Sequence, residues 1–196
     1  MTRRRARSLA FAVLAWLAWD AAAVRAQENA QAKKQAAAMV HFEMQRYLGR
    51  WYEIAHLPGK AEKECVSDGI VLYAEGDKPG RFQFVAACRR KDNSTDSINR
   101  SGRAQDKSGD GRLQLQPFWP FWTRYWIFAV GPDYEWALVG TPNRRQLWVL
   151  SRQTTLPPAV LAEIERRAAG EGFDPAKLVM TPQSPQRSLA PADAGR

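Results

Sequence analysis

Between about residue 40 and residue 181, apolar and polar positions alternate in short runs separated by turn-forming residues. Eight runs carry strand character, at 50–57, 66–74, 81–89, 96–105, 112–116, 124–130, 135–140 and 146–151. The turns between them are marked by GDKPG (76–80), SGDG (108–111), GPD (131–133) and TPNRR (141–145). Many short strands at close spacing argue for an antiparallel sandwich or barrel. From Leu156 the period changes. LPPAVLAEIERRAAGEG carries prolines in a first helical turn, an apolar stripe at Val160, Leu161 and Ile164, and glycines at Gly170 and Gly172 that end it, which predicts one amphipathic helix. Residues 178–180 are placed as a short returning strand. Eight antiparallel strands followed by one helix predict an all-β fold: a closed up-and-down barrel, with the C-terminal helix packed on its outside and an interior sized for one small ligand.

The ends of the chain do not share this pattern. Three arginines (Arg3, Arg4, Arg5) precede an apolar run over 8–19, and Val24-Arg25-Ala26 supplies small residues at a cleavage site. Residues 1–26 are therefore expected to be a signal peptide, followed by a flexible segment (27–39), the barrel and helix (40–182) and a disordered tail (183–196). The five arginines and one aspartate of residues 1–26 account for +4 of the formal charge of +9, leaving +5 on the mature chain. Basic blocks such as Arg89-Arg90-Lys91 are short, so a solvated surface is expected and no nucleic-acid partner. The two cysteines, Cys65 and Cys88, both lie far from the cleavage site, so the mature protein is expected to be soluble and periplasmic, without a lipid anchor. In an exported chain they suggest one disulfide, with two free buried thiols as the alternative.

Three motifs then carry a resemblance to the lipocalins, within them to the bacterial lipocalins and apolipoprotein D. They are Gly49-Arg50-Trp51 inside RYLGRWYEIAHLP, the run Tyr134-Glu135-Trp136-Ala137-Leu138-Val139-Gly140, and Leu147-Trp148-Val149-Leu150-Ser151-Arg152 before the helix. The resemblance implies that Trp51 fills the closed end of the barrel, that Arg152 lies across its indole face, and that Gly49 lets the chain pass beneath the ring. A planar guanidinium on an aromatic face suits that role. Two positions depart from the family pattern: Gly131 stands where an aspartate is usual, and Ala86 where relatives often carry a pocket asparagine.

Alternate side chains of a barrel strand point inward. With Trp51 inward, Glu53, Ala55 and Leu57 follow on the first strand, and Trp148 and Leu150 lead to Arg152 on the eighth. The resemblance adds Phe82, Phe84 and Ala86 from the third strand, Leu113 and Leu115 from the fifth, Tyr125, Ile127 and Ala129 from the sixth, and Ala137 and Val139 from the seventh. These form the expected ligand-binding wall. A solid core made of the same residues is the alternative. Trp126 and Phe128 are expected outward, where the helix stripe needs an apolar surface. Loops 56–64, 90–95, 117–123 and 141–145 then crown the open end. Phe118, Trp119, Phe121 and Trp122 fall in that crown, as a lid, a patch that dips into a lipid surface, or a partner-binding patch. A turn centred near residue 78 pairs positions summing to about 155, so Cys65 opposes residue 90 and Cys88 lies on the adjacent diagonal, within reach after a bulge or a shift.

Chemistry narrows the function. His41 and His56 stand far apart, no cysteine–histidine metal spacing occurs, and there is no GxSxG, P-loop or glycine-rich dinucleotide turn. Glu53, two residues from Trp51, is expected to pair with Arg152 or another basic side chain. No catalytic residue, metal site or cofactor is assigned. The expectation is a non-enzymatic carrier, monomeric or weakly dimeric, for a fatty acid or lysophospholipid in the bacterial envelope, with transient membrane-surface contact left open. The alternatives are an enzyme acting on bound lipid through a barrel thiol or carboxylate, and a tetrapyrrole or carotenoid carrier.

Overall fold

The computed structural model describes residues 42–59, 63–105 and 109–184. The expected signal peptide, the segment 27–39 and positions 185–196 lie outside the described residues. A short helix α1 (Met44–Tyr47) leads into β1 (Gly49–His56), β2 (Cys65–Glu75), β3 (Arg81–Arg90), β4 (Thr95–Ala104), β5 (Arg112–Phe118), β6 (Phe121–Val130), β7 (Trp136–Gly140) and β8 (Leu147–Ser151). Helix α2 (Pro158–Gly170) follows, then a 3₁₀ turn (Pro175–Lys177) and β9 (Val179–Met180).

Consecutive strands pair antiparallel from β2 to β8, and β1 closes the ring by pairing β8 on one side and β2 on the other. Closure leaves no free edge along the paired length. The period-2 pattern explains the two cores. Inward residues such as Val71, Phe84, Leu113 and Val139 form one buried cluster. Outward residues Phe128, Trp136, Leu138, Leu147 and Val149 form a second with Ile164 and Ala168 of α2 and with Phe173. Phe128 and Trp126 thus face the helix side as the stripe argument requires. Each large apolar side chain so buried contributes about 1.5–3 kcal/mol.

Two irregularities alter the inside/outside sequence. On β1, Glu53 opposes Leu150 and Ala55 opposes Val149 of β8, so Ile54 is an extra residue. On β6, Ile127 opposes Val139 and Ala129 opposes Leu138, so Phe128 is extra. A bulge of one residue reverses the facing of everything after it. Ala55, Leu57 and Ala129, expected inward, accordingly belong to the outer cluster, whereas His56 faces the interior cavity and Val130 packs on the inner cluster.

β9 fills a place of its own. β2 pairs β1 only as far as Tyr52↔Ile70, and beyond that point β9 pairs β1 through Ala55↔Met180 and His56↔Val179. The strap continues past the expected boundary at 182. The Gln183 amide donates to the carbonyls of Glu53 and Gly69, 2.7 and 3.0 Å, tying β1 to β2.

Candidate ligand-binding site

At the closed end Arg152 lies across Trp51, its guanidinium carbon 3.7 Å from the ring centre. The Trp51 indole N–H donates to the Tyr47 carbonyl at 2.8 Å. Gly49 sits at φ +95°, where a side chain is strained, and a Cβ there would crowd the Arg152 guanidinium at 3.3 Å. Above this plug the barrel is solid. Phe42, Tyr47 and Tyr134 fill it together with Phe82, Leu113, Ile127, Ala137, Val139 and Leu150. Those last six, expected in the ligand wall, face inward but are not among the residues that line the cavity described next, because aromatic rings from α1, β2 and the β6–β7 turn pack beside them.

A cavity of about 760 Å³ takes up the other half of the barrel, toward the open end. Of the expected wall, Phe84, Ala86, Leu115, Tyr125 and Trp148 line it. Its floor is aromatic: the Tyr125 ring lies 5.7 Å from Phe84 and 5.9 Å from Trp148. Beneath them the hydroxyls of Tyr73 and Tyr125 share a 2.7 Å hydrogen bond, and the Tyr47 hydroxyl donates to Tyr73 at 3.4 Å. Burial raises the pKa of all three phenols, so they are neutral, mutually satisfied polar groups.

Ile70 and Val71 of β2, Ile98 and Arg100 of β4, and His56 also line the cavity. None was assigned from sequence. The inner face of β4 reads Asp96, Ile98, Arg100, Gly102, with no apolar alternation to mark it. Gly102 has to be small: a Cβ there would lie 2.2 Å from the Phe82 ring.

The mouth is held by three devices. The first is the Cys65–Cys88 disulfide, joining the start of β2 to the end of β3 with Cα atoms 5.6 Å apart. Cys65 opposes Arg90, and register shifts at Ser67 and between Ser67 and Ile70 bring Cys88 into reach. Both cysteines of the chain are used, so neither is a free thiol nucleophile. The second is a cluster at Glu53, whose carboxylate accepts from the Thr181 hydroxyl at 2.6 Å and lies 2.8 Å from His56 Nδ1. Of the expected partners, Arg152 or another basic side chain, the second is found: Arg152 spends its donors on backbone carbonyls at the closed end, and His56, turned inward by the bulge, stands beside Glu53.

The third device is Asp68, buried at φ +55°. Its carboxylate accepts from Arg89 Nε at 2.8 Å and from the Ser184 amide at 2.7 Å. Burial opposes ionisation, but the hydrogen bonds from Arg89 and Ser184 outweigh it and hold the carboxyl below its usual range.

The aromatic segment forms the β5–β6 hairpin, where Phe118 pairs with Phe121. Phe118, Trp119 and Phe121 are 65%, 83% and 59% exposed, and the cavity wall at this level is formed by Pro117 and Thr123 instead. Trp122 lies against Arg103, whose guanidinium carbon is 4.0 Å from its ring centre. The four rings do not cover the cavity in this conformation. Among the described residues no group of three or more histidine, cysteine or acidic side chains is placed to hold a metal, and no helix is long and apolar enough to cross a membrane.

The family model described as a lipocalin-like domain matches residues 42–183. Temperature-induced lipocalin-1 of Arabidopsis thaliana is 30% identical, covering 83% of this chain and 92% of that protein. Outer membrane lipoprotein Blc of Escherichia coli K12 is 31% identical, covering 73% and 80%. Apolipoprotein D of Mus musculus is 27% identical, covering 74% and 78%. Among solved structures, insecticyanin of the tobacco hornworm Manduca sexta superposes with a TM-score of 0.59 at 17% identity, over 74% of this chain and 82% of that one. With the barrel, the Trp51–Arg152 plug, the helix and the half-open interior in place, the match over 42–183 settles the affiliation: the chain belongs to the lipocalin family, whose members bind and carry small hydrophobic molecules.

Proposed function

We propose that this protein is a non-enzymatic carrier of one single-chain lipid, a fatty acid or lysophospholipid, in the envelope of a Gram-negative bacterium. The observation that carries the reading is the cavity of about 760 Å³ above a solid half-barrel. That volume falls in the range of small-molecule sites, and its walls are mainly apolar. Burial of an acyl chain of about 16 methylenes yields roughly 13 kcal/mol gross at about 0.8 kcal/mol each. Ordering and association costs reduce this, and half of it still corresponds to a Kd of roughly 20 μM. The similarity to an outer membrane lipoprotein and the signal-like amino terminus support an envelope location. The absence of a cysteine near the expected cleavage site supports a soluble periplasmic form. The exposed hairpin tip at Phe118, Trp119 and Phe121 is where the carrier would meet a lipid surface, because its rings are open to solvent and none of them lines the cavity.

The test is mass spectrometry of an organic extract from natively purified protein. The reading expects one single-chain lipid species in near-stoichiometric amount. A stoichiometric pigment, visible as a coloured preparation, would replace the lipid reading with the tetrapyrrole or carotenoid alternative.

A further inference from the structure

The mouth ends of β4 and β5 do not pair. Their ladder runs only from Ser101↔Gln116 to Ala104↔Leu113, so residues 95–100 of β4 have no β5 partner. The cavity is bordered there by Ile98 and Arg100 on one side and Leu115 and Pro117 on the other. Arg100 opposes Phe84 of β3. Paired residues share a face, and Phe84 is an inner residue, so Arg100 faces inward at this gap.

Its electrostatic situation differs from that of the other charges around the cavity. Asp96 is paired with Arg90 at 2.9 Å, and Glu53 is occupied by Thr181 and His56. Arg124 also borders the cavity, but at an exposed position on the rim. Arg100 is half-buried, and among the described residues no carboxylate lies within ion-pair distance of it. One of its Nη donors bonds to the neighbouring Asn99 carbonyl at 2.8 Å. A guanidinium has five N–H donors in a planar fork that matches an oxyanion in bidentate fashion.

We propose that Arg100, at the gap between β4 and β5, anchors the anionic head group of the bound single-chain lipid and sets a preference for anionic over uncharged ligands. The acyl chain then lies along Phe84, Ala86 and Trp148, and the head group sits at the gap, partly in water. An uncharged head group forgoes the charge-assisted bonds. This inference rests on the carrier reading, since it names the head-group chemistry of the same cavity. The shared chemistry is an oxyanion, either the carboxylate of a free fatty acid or the phosphodiester of a lysophospholipid.

The experiment measures the affinity of the full-length mature protein for two pairs of probes, palmitate against hexadecanol and palmitoyl-lysophosphatidylglycerol against monopalmitoylglycerol. Four proteins are compared: wild type, Arg100→Gln, Arg100→Lys and Arg124→Gln. The expected result is a loss of about fivefold or more for at least one anionic probe in Arg100→Gln. The uncharged partner should change by less than about twofold, with partial recovery in Arg100→Lys and little effect of Arg124→Gln. The anionic probe that loses affinity identifies the source of the oxyanion. Equal losses for charged and uncharged probes, no loss for either anion, or an equal loss from Arg124→Gln would each overturn the anchor while leaving the carrier intact. If wild type binds none of the four probes, the carrier reading falls and takes the anchor with it. Thermal unfolding of each variant separates folding defects from binding defects.

Discussion

The Arg152 guanidinium, 3.7 Å from the centre of the Trp51 ring, also donates to the carbonyls of Arg46, Tyr47, Leu48 and Arg50. One side chain thereby closes the barrel floor and supplies donors to carbonyls of α1 and the start of β1, sharing the Tyr47 carbonyl with the Trp51 indole. Trp51→Ala is expected to cost about 3–5 kcal/mol. Arg152→Ala should also destabilise strongly, because it strands those carbonyls. The two should be non-additive by at least about 0.5 kcal/mol in a denaturant-measured double-mutant cycle. Strict additivity would contradict a single plug.

The disulfide should tie the mouth. Cys65 and Cys88 are 23 positions apart, and closing a loop of that length stabilises by about 3 kcal/mol through the unfolded chain. Reduction should lower the melting temperature and increase hydrogen exchange at the start of β2. Two alkylatable thiols in protein prepared from the periplasm would remove the bridge from the account.

Asp68 should act as the clasp of the carboxy-terminal strap. Its carboxyl is held below the ordinary value near 4, so its contribution to stability is complete above that ordinary value. It is lost as the pH falls through the depressed folded value. Asp68→Asn should cost about 1–3 kcal/mol, since it weakens the bonds to Ser184 and leaves Arg89 without its counter-charge. In that variant the Ser184 amide should exchange faster at neutral pH, as it should in wild type only in strong acid. Unchanged Ser184 exchange in the variant would show that the strap is held elsewhere.

The buried phenols give the opposite pH dependence. Burial raises Tyr47, Tyr73 and Tyr125 above the ordinary value near 10, so above that pH the unfolded chain loses protons that the folded one keeps. The phenols' contribution to stability should be level below about pH 10 and fall as the pH rises further. Tyr73→Phe, which takes the central hydroxyl from the chain of three, should cost about 1–2 kcal/mol and lessen that alkaline fall. A slope identical to wild type would contradict the network.

The hairpin and the cavity should separate by mutation. Trp119, 83% exposed, should change vesicle adsorption or ligand release when truncated to alanine, with little change in equilibrium affinity. Trp148→Ala should lower affinity for palmitate about tenfold while the protein still folds, because that ring forms part of the cavity floor. Unchanged palmitate affinity in Trp148→Ala would place the ligand elsewhere.

What the sequence revealed, and what it concealed, has a physical basis. Half-buried strands must alternate, so β1 to β8 were legible within a few residues, and the stripe on α2 decided which way Trp126 and Phe128 face. The bulges at Ile54 and Phe128 were not legible. Each sits in a run that is apolar on both faces, Ile54-Ala55 and Ile127-Phe128-Ala129, where an extra residue leaves no mark, and Ala55, Leu57 and Ala129 were therefore assigned to the wrong side. Alternation also carries no depth. Phe82 and Phe84 are two residues apart on one face, yet the first is packed in the solid half and the second lines the cavity. The difference is set by Phe42, Tyr47 and Tyr73, which arrive from other elements. Arg100 carries no such mark either, because charge on an inner face looks like solvent exposure in the sequence.

The location of the ligand is the central claim, and filling the cavity tests it most directly. Ala86 lines the cavity wall on β3 and is only partly buried, so Ala86→Trp places a large ring in the space assigned to the acyl chain. Equilibrium binding of palmitate to wild type and to this variant, with thermal unfolding measured alongside, is the decisive comparison. The account predicts an affinity loss of about tenfold or more with the folding transition retained. Undiminished palmitate binding by a folded Ala86→Trp protein would contradict it.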